Sequence, residues 1–272
     1  MKPSTRHSSS AGQPHPPHAP SPPRRGPDPF AFLCEACGYH LAGIADMPAC
    51  PECGTPISDS LPARREGSPW QKRRSIASAL ATDWALLRHP IRFWRVVRLH
   101  KPISTGLLIA NITLSALIPT LALTLVMRLP THRLNFAYLP FFFMGGVLIY
   151  TVLSAVEFLG LPFFAARRGW RVPIDAAFVI IAHASAGWLI SGVGVALAYL
   201  AHNLLQTYAP AFASKPLVGG VGGVGGGGGF SPANMLLVAH FVLFLVGVVA
   251  FSLLSGAGWQ ALRFANRLPP QE

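Results

Sequence analysis

Residues 106–127 read GLLIANITLSALIPTLALTLVM. The stretch has no charged side chain and is long enough for a helix to cross hydrocarbon, which takes ~20 apolar residues. Pro119 falls inside it, a position that membrane helices tolerate when neighbouring groups re-satisfy the freed backbone. Three more stretches of this kind follow. One lies within 138–165 (YLPFFFMGGVLIYTVLSAVEFLGLPFFA), one within 174–200 (IDAAFVIIAHASAGWLISGVGVALAYL), and one covers about 235–259 (MLLVAHFVLFLVGVVAFSLLSGAGW). Composition agrees: 51% of the residues are hydrophobic and 12% charged, against about 25% charged in soluble domains. Between 104 and 260 the basic residues are Arg128, Arg133, Arg167, Arg168, Arg171 and Lys215, and the acids are Glu157 and Asp175. The expected fold is an all-α polytopic membrane helix bundle of about four spans, residues 104–260, preceded by a small β zinc ribbon.

The flanks set the expected topology. The net charge is +12, and its basic residues crowd before the first span and into the short second loop, the pattern of juxtamembrane charge on the cytoplasmic side. With four spans, the N-terminus, the second loop (Arg167, Arg168, Arg171) and the tail 261–272 (Arg263, Arg267) fall inside. The arginines of the first loop, Arg128 and Arg133, run against this rule. The connection 201–233 carries GGVGGVGGGGG at 219–229. Glycine at that density loses more freedom on ordering than packing returns, so a Gly-rich loop (217–229) is expected, with a re-entrant segment as the alternative. It lacks the GK[ST] ending of a phosphate loop.

Upstream of the spans, residues 1–29 form a Pro/Ser-rich tail without large apolar side chains, expected to be disordered. Its His7, His15 and His18 offer at most weak metal binding. No signal-peptide core is present there, so the cysteines downstream are expected in the reducing cytosol. Residues 58–69 read as a linker. Residues 70–103 interleave Lys72, Arg73, Arg74, Arg88, Arg92, Arg95 and Arg98 with Ile76, Leu80, Trp84, Leu87, Ile91, Trp94 and Val97 at three- and four-residue steps. That spacing is helical, and Pro90 divides it. Two basic amphipathic helices lying at the membrane surface are expected, with arginine stems snorkelling.

All four cysteines lie in residues 30–57: Cys34 and Cys37, then, after twelve intervening residues, Cys50 and Cys53. Two CxxC pairs at this separation make a four-thiolate set for one ion. Gly38 and Gly54, each following the second cysteine of its pair, suit the unusual backbone angles of such turns. Tetrahedral sulfur coordination favours zinc over iron. A closed set of four leaves no open position, so the ion is structural, and a module this small depends on it to fold.

The segment CEACGYHLAGIADMPACPECGTPI, residues 34–57, resembles the short zinc ribbons at the N-termini of many bacterial membrane proteins. These have the form CxxCGYxLxGL followed by a CPECG knuckle. Cys34, Cys37, Gly38, Tyr39, Leu41 and Gly43 match the first part, and Cys50, Pro51, Glu52, Cys53 and Gly54 the second; Ile44 replaces the usual leucine. The resemblance implies four zinc ligands and a cytosolic module on the bacterial inner membrane, and it covers about a tenth of the chain. The knuckles also resemble those of rubredoxin, but their separation here is far shorter and the aromatic core is missing, which argues against iron electron transfer. The membrane part resembles the Yip family of membrane domains, whose members usually have five spans rather than four.

Three ionisable residues fall inside spans: Glu157, His183 and His240. Such groups should face the bundle interior. Glu157 paired across helices with His183 or His240 could relay protons or hold a cation; the plainer expectation is an interhelical hydrogen bond. Asp175 sits near the arginines of the second loop. Small residues in the third span (Gly187 and Ser191, Gly192 and Ala196, Gly194 and Ala198) permit close helix approach within the chain or between copies. No dedicated catalytic spacing occurs in the spans. The expected role is therefore a non-enzymatic adaptor or membrane organiser, partnered by the lipid bilayer, a cytosolic protein and copies of itself as a homo-oligomer. The alternative is a small oligomeric transporter or channel-like protein using Glu157, His183 and His240. Nucleic acid is disfavoured, because the ribbon carries Glu35, Asp46 and Glu52 and no Arg or Lys, whereas nucleic-acid faces are basic.

Overall fold

The computed structural model describes residues 32–99, 101–127, 138–170, 172–208 and 232–266. The expected N-terminal tail, the first-loop arginines Arg128 and Arg133, Arg171, the glycine-rich connection with Lys215, and Arg267 lie outside them.

Among the described residues five helices build the bundle: α4 (Lys101–Met127), α5 (Leu139–Arg167), α6 (Ile174–Ala184), α7 (Ala186–Tyr208) and α8 (Pro232–Ala261). The pair α6 and α7 forms one span, Ile174–Leu204, so among the described residues four spans are long and apolar enough to cross a membrane. The break between them is at Ser185, whose hydroxyl donates back to the Ala182 carbonyl (2.7 Å); serine back-bonding of this kind bends helices. This third span is the centre of the bundle, with 67% of its most apolar window buried. It packs on α4 and α8, while α5 rests against α4 and α6. The α5 span is only 11% buried and turns Phe141, Leu148, Val156 and Leu159 outward. A helix that oily and that exposed requires lipid as its solvent, and the chain is a membrane protein.

Close packing at the centre follows from the small residues. Pro119 has no N–H for the Ser115 carbonyl. Gly192 of α7 sits against that freed carbonyl, so closely that a Cβ there would lie 2.4 Å from its oxygen. A Cβ on Gly187 would strike the Phe251 backbone, and one on Gly247 would strike Ser191. The small-residue stripe is thus occupied within one chain.

A second layer covers the end of the bundle where α4 and α6 begin and α5 and α8 finish. It comprises α1 (Pro69–Lys72), α2 (Ile76–Arg88) and α3 (Pro90–Val96). Ser68 with Gln71, and Ser75 with Ser78, form reciprocal capping boxes that start α1 and α2, satisfying end N–H groups. His89, before Pro90, leaves helical geometry (ψ 64°), as pre-proline crowding demands, and Pro90 opens α3. Trp70 packs on Gly106 of α4, and Trp94 on Gly258 of α8.

The apolar series read from sequence divides in two. Ile76, Leu80, Trp84, Leu87 and Ile91 are exposed, whereas Trp94 and Val97 are fully buried. Toward the bundle α2 turns Ala79, Thr82, Asp83 and Leu86. The helix therefore buries its more polar side and exposes its oilier one, an arrangement stable where the oily side meets lipid.

Residues 58–69, expected as a linker, are instead packed. They form two 3₁₀ turns, Ile57–Ser60 and Pro62–Arg64, and bury Ser60, Arg65 and Ser68. Arg65 Nη1 donates to the carbonyls of Trp94 and Val97 (both 3.1 Å), and Gly67 N–H donates to Val96. The polar composition that suggested a linker serves to cap the end of α3. Similarly, the first residues of the expected tail form a turn with Leu262, Ala265 and Asn266 buried.

Candidate metal centre

The two knuckles are built alike. Cys34 N–H donates to the Tyr39 carbonyl and Gly38 N–H to the Cys34 carbonyl (both 2.8 Å); Cys50 N–H donates to Thr55 and Gly54 N–H to Cys50 (both 2.9 Å). Each closes with one isolated antiparallel bridge, Leu33 with His40 and Ala49 with Pro56. Among the described residues these bridges are the ribbon's only β pairing, so it is a pair of turns rather than a sheet. Gly38 (φ 83°) and Gly54 (φ 70°) both occupy the left-handed region that costs other residues a Cβ clash.

The knuckles face each other. Cys34 Sγ is 3.6 Å from Cys53 Sγ, and Cys37 Sγ is 3.7 Å from Cys50 Sγ; all four sulfurs lie within 4.8 Å of one another. A tetrahedron with metal–sulfur bonds of ~2.3 Å has edges of about 3.8 Å, so the set fits one ion. Cys34 and Cys50 are buried with Leu41 and Ile57 in a miniature core, while Cys37 and Cys53 face outward. Four sulfur donors fill a tetrahedron, and no position is left for substrate.

The ribbon is fixed to the bundle through residues that the sequence reading passed over. Asn266, just beyond α8, accepts from Leu33 N–H (3.0 Å) and donates from Nδ2 to the carbonyls of Leu33 (2.7 Å) and Ser60 (2.9 Å). Its backbone N–H donates to Glu35 Oε1 (3.0 Å), and Glu35 Oε2 pairs with buried Arg65 at 2.6 Å. Burial pushes the Glu35 carboxyl above its ordinary value, with Arg65 and the Asn266 N–H pulling the other way. These contacts put the ribbon and residue 266 at the same end of the bundle. A lone asparagine in a short tail gives no pattern from which to foresee this.

The three ionisable residues of the spans do not meet. Glu157 lies about 15 Å along α5 from Arg167, at 1.5 Å per residue, and accepts from Ser255 of α8 (2.7 Å), not from either histidine. His183 is fully buried. Its Nδ1 faces the Val179 carbonyl (2.9 Å) and its Nε2 the Ser68 hydroxyl (3.1 Å), with Phe93 and Trp94 against the ring. Since a carbonyl only accepts, Nδ1 carries the proton and Nε2 accepts from Ser68. His240 packs its ring on Tyr199, centroids 4.2 Å apart. Glu157 thus joins α5 to α8, and His183 ties α6 to the cap of α1.

A further polar cluster went unforeseen. Asp83 Oδ1 accepts from Asn111 Nδ2 (3.0 Å), which also reaches Ser185 Oγ (3.1 Å). Burial raises the Asp83 carboxyl to about 7, opposed by the Asn111 hydrogen bond. Asp83 Oδ2 and Asn111 Oδ1 are buried without hydrogen-bond partners. One sequence signal existed: between Glu66 and Glu157, Asp83 is the sole acid.

No family model, curated protein or solved structure matches this chain.

Proposed function

We propose that this chain is a membrane-anchored zinc-ribbon protein that works without catalysis, as an adaptor or organiser at the bacterial inner membrane. The observation that carries the reading is the closed four-sulfur set on a module hydrogen-bonded to the last turn of the bundle. An ion held that way stabilises a surface rather than a reaction. Zinc is the ion we assign, from the all-thiolate donors and the resemblance to bacterial membrane-protein ribbons.

The cytoplasmic side is assigned to the ribbon end. Arg167, Arg168 and Arg263 gather there with the arginines of α2 and α3, which is the charge bias of an inside face. The ribbon would present exposed Tyr39 and Met47 to a cytosolic protein. Homo-oligomers would form through the outward faces of α5 or α8, because the small-residue stripe is already occupied within the chain. The transporter reading loses its motive, since Glu157, His183 and His240 form no common site.

The test is a comparison of partners captured from native membranes by the intact chain and by Cys34→Ser and Cys50→Ser variants, with metal content measured in parallel. Loss of about one zinc per chain together with loss of partners is expected. An unchanged partner set would count against the adaptor role.

A further inference from the structure

A cleft of about 620 Å³ opens between the ribbon and the bundle, within the range of small-molecule sites. Four arginines line it, Arg64, Arg65, Arg95 and Arg263, against two acids, Glu35 and Asp59. The acids are already engaged. Glu35 pairs with Arg65, and Asp59 with Arg64. That leaves two surplus cations. Arg263 donates to the Ala36 carbonyl and sits 5.3 Å from the Phe264 ring centroid, both uncharged partners. Arg95 is exposed, with no charged or hydrogen-bonding partner among the described residues.

The surroundings specify the kind of anion. Ala261, which lines the cleft, is the last residue of the fourth span (Leu237–Ala261), so the cleft sits at headgroup level. Ile91 forms part of its wall and is 66% exposed; it ends the outward apolar stripe of Ile76, Leu80, Trp84 and Leu87. A ligand here meets two guanidinium groups, of Arg95 and Arg263, and the exposed apolar side chain of Ile91. Guanidinium groups are matched to phosphate, and basic pockets beside the ends of spanning helices suit anionic headgroups.

We propose that this cleft is a binding site for the phosphate of an anionic phospholipid, with Arg95 and Arg263 as its ligands and the Ile91 edge receiving the start of the acyl chains. Such binding does not depend on a protein partner for the ribbon. It would join ribbon, surface helices and last span through one lipid.

The test uses the full-length, metal-loaded protein in neutral detergent, with bound lipid counted by native mass spectrometry after adding phosphatidylglycerol or phosphatidylcholine. The intact chain should hold phosphatidylglycerol about tenfold better than phosphatidylcholine, as expected for charge-assisted hydrogen bonds. Arg95→Gln combined with Arg263→Gln should abolish that preference, Arg95→Lys should keep most of it, and Arg73→Gln with Arg74→Gln, exposed elsewhere, should leave it intact. Should the double variant fold poorly, Arg95→Gln alone decides, because that side chain supports nothing else. Undiminished preference in the Arg95 variants, or equal loss in the Arg73 and Arg74 control, overturns the site. Competition by glycerol 3-phosphate, which has the phosphate but no tails, separates the sources: failure to displace the lipid supports it as the ligand, and displacement at equal concentration overturns the lipid in favour of a soluble phosphate ester.

Discussion

Asn266 and Asp83 are buried to the same degree, each 4% exposed, and each holds an extramembrane element against the bundle. Asn266 receives the ribbon and spends its side chain fully: Oδ1 accepts one bond and Nδ2 donates two. Asp83 anchors α2 and is only half satisfied, with Oδ2 unpaired, as is Oδ1 of its partner Asn111. A neutral amide can match a backbone's donor and acceptor at once, so its fit does not vary with pH. A carboxylate can only accept, and in a buried site its missing donor favours the protonated form. The bonds of the amide side chain are therefore fixed, and those of the Asp83 carboxyl depend on protons.

The largest effect expected is the one that removes the ribbon's own fold. Cys34→Ser and Cys50→Ser should each release the ion and melt the ribbon, since binding and folding of so small a module are one event. Metal content and hydrogen exchange at Cys34 and Cys50 amides check this. Asp83 should not notice: the fall in bundle stability between pH 5 and pH 7 should persist in both variants.

Asn266→Ala should come next. It strands the Leu33 N–H and two carbonyls, at a cost of about 3 kcal/mol for buried polar groups left without partners. The expected outcome is a ribbon that keeps its metal but comes away from the bundle, read as faster proteolysis between residues 57 and 68. If the cleavage rate does not change, the ribbon is held by something other than this residue.

The Asp83 attachment gives a smaller effect with a definite sign. The carboxyl titrates near 7 when folded, against 3.8 for the free group, so the folded state binds the extra proton between those values. Stability must then fall as pH rises from about 4 to about 7 and level off above, losing about 2 kcal/mol between pH 5 and pH 7 at 1.36 kcal/mol per unit. Asp83→Asn should flatten this slope in detergent melts, its amide offering Asn111 Oδ1 a donor. A slope that persists in Asp83→Asn would assign the titration to another group.

The spans and the four-cysteine cluster were legible in the sequence because each rests on a local pattern: uninterrupted apolar length for one, fixed CxxC spacing for the other. What stayed hidden depends on partners distant in sequence. Leu33 and Asn266 lie at opposite ends of the chain, and Arg65 looks like a linker residue until the carbonyls of Trp94 and Val97 are beneath it. Helical periodicity grouped Trp84 with Trp94, but only packing against Gly258 separates the buried indole from the exposed one. Glu157 and the histidines were visible as individual residues, while their partners, Ser255, Ser68 and Tyr199, carry no signature.

The smallest effect sharpens the comparison within the ribbon itself, whose two knuckles repeat one backbone pattern in different surroundings. Gly54→Ala meets nothing within 4 Å, whereas Gly38→Ala would put a methyl 2.8 Å from the Phe264 ring. Both substitutions pay the left-handed backbone penalty, about 1 kcal/mol, and should weaken metal retention equally in a chelator competition. Gly38→Ala should in addition loosen the ribbon from the bundle, and Phe264→Ala should relieve that part alone. The double variant would then match Gly54→Ala in metal retention and the intact chain in proteolysis, because the backbone strain belongs to the knuckle and the steric conflict to the docked face. Equal proteolysis in both single glycine variants would mean that the Phe264 ring yields freely and that docking rests on Asn266.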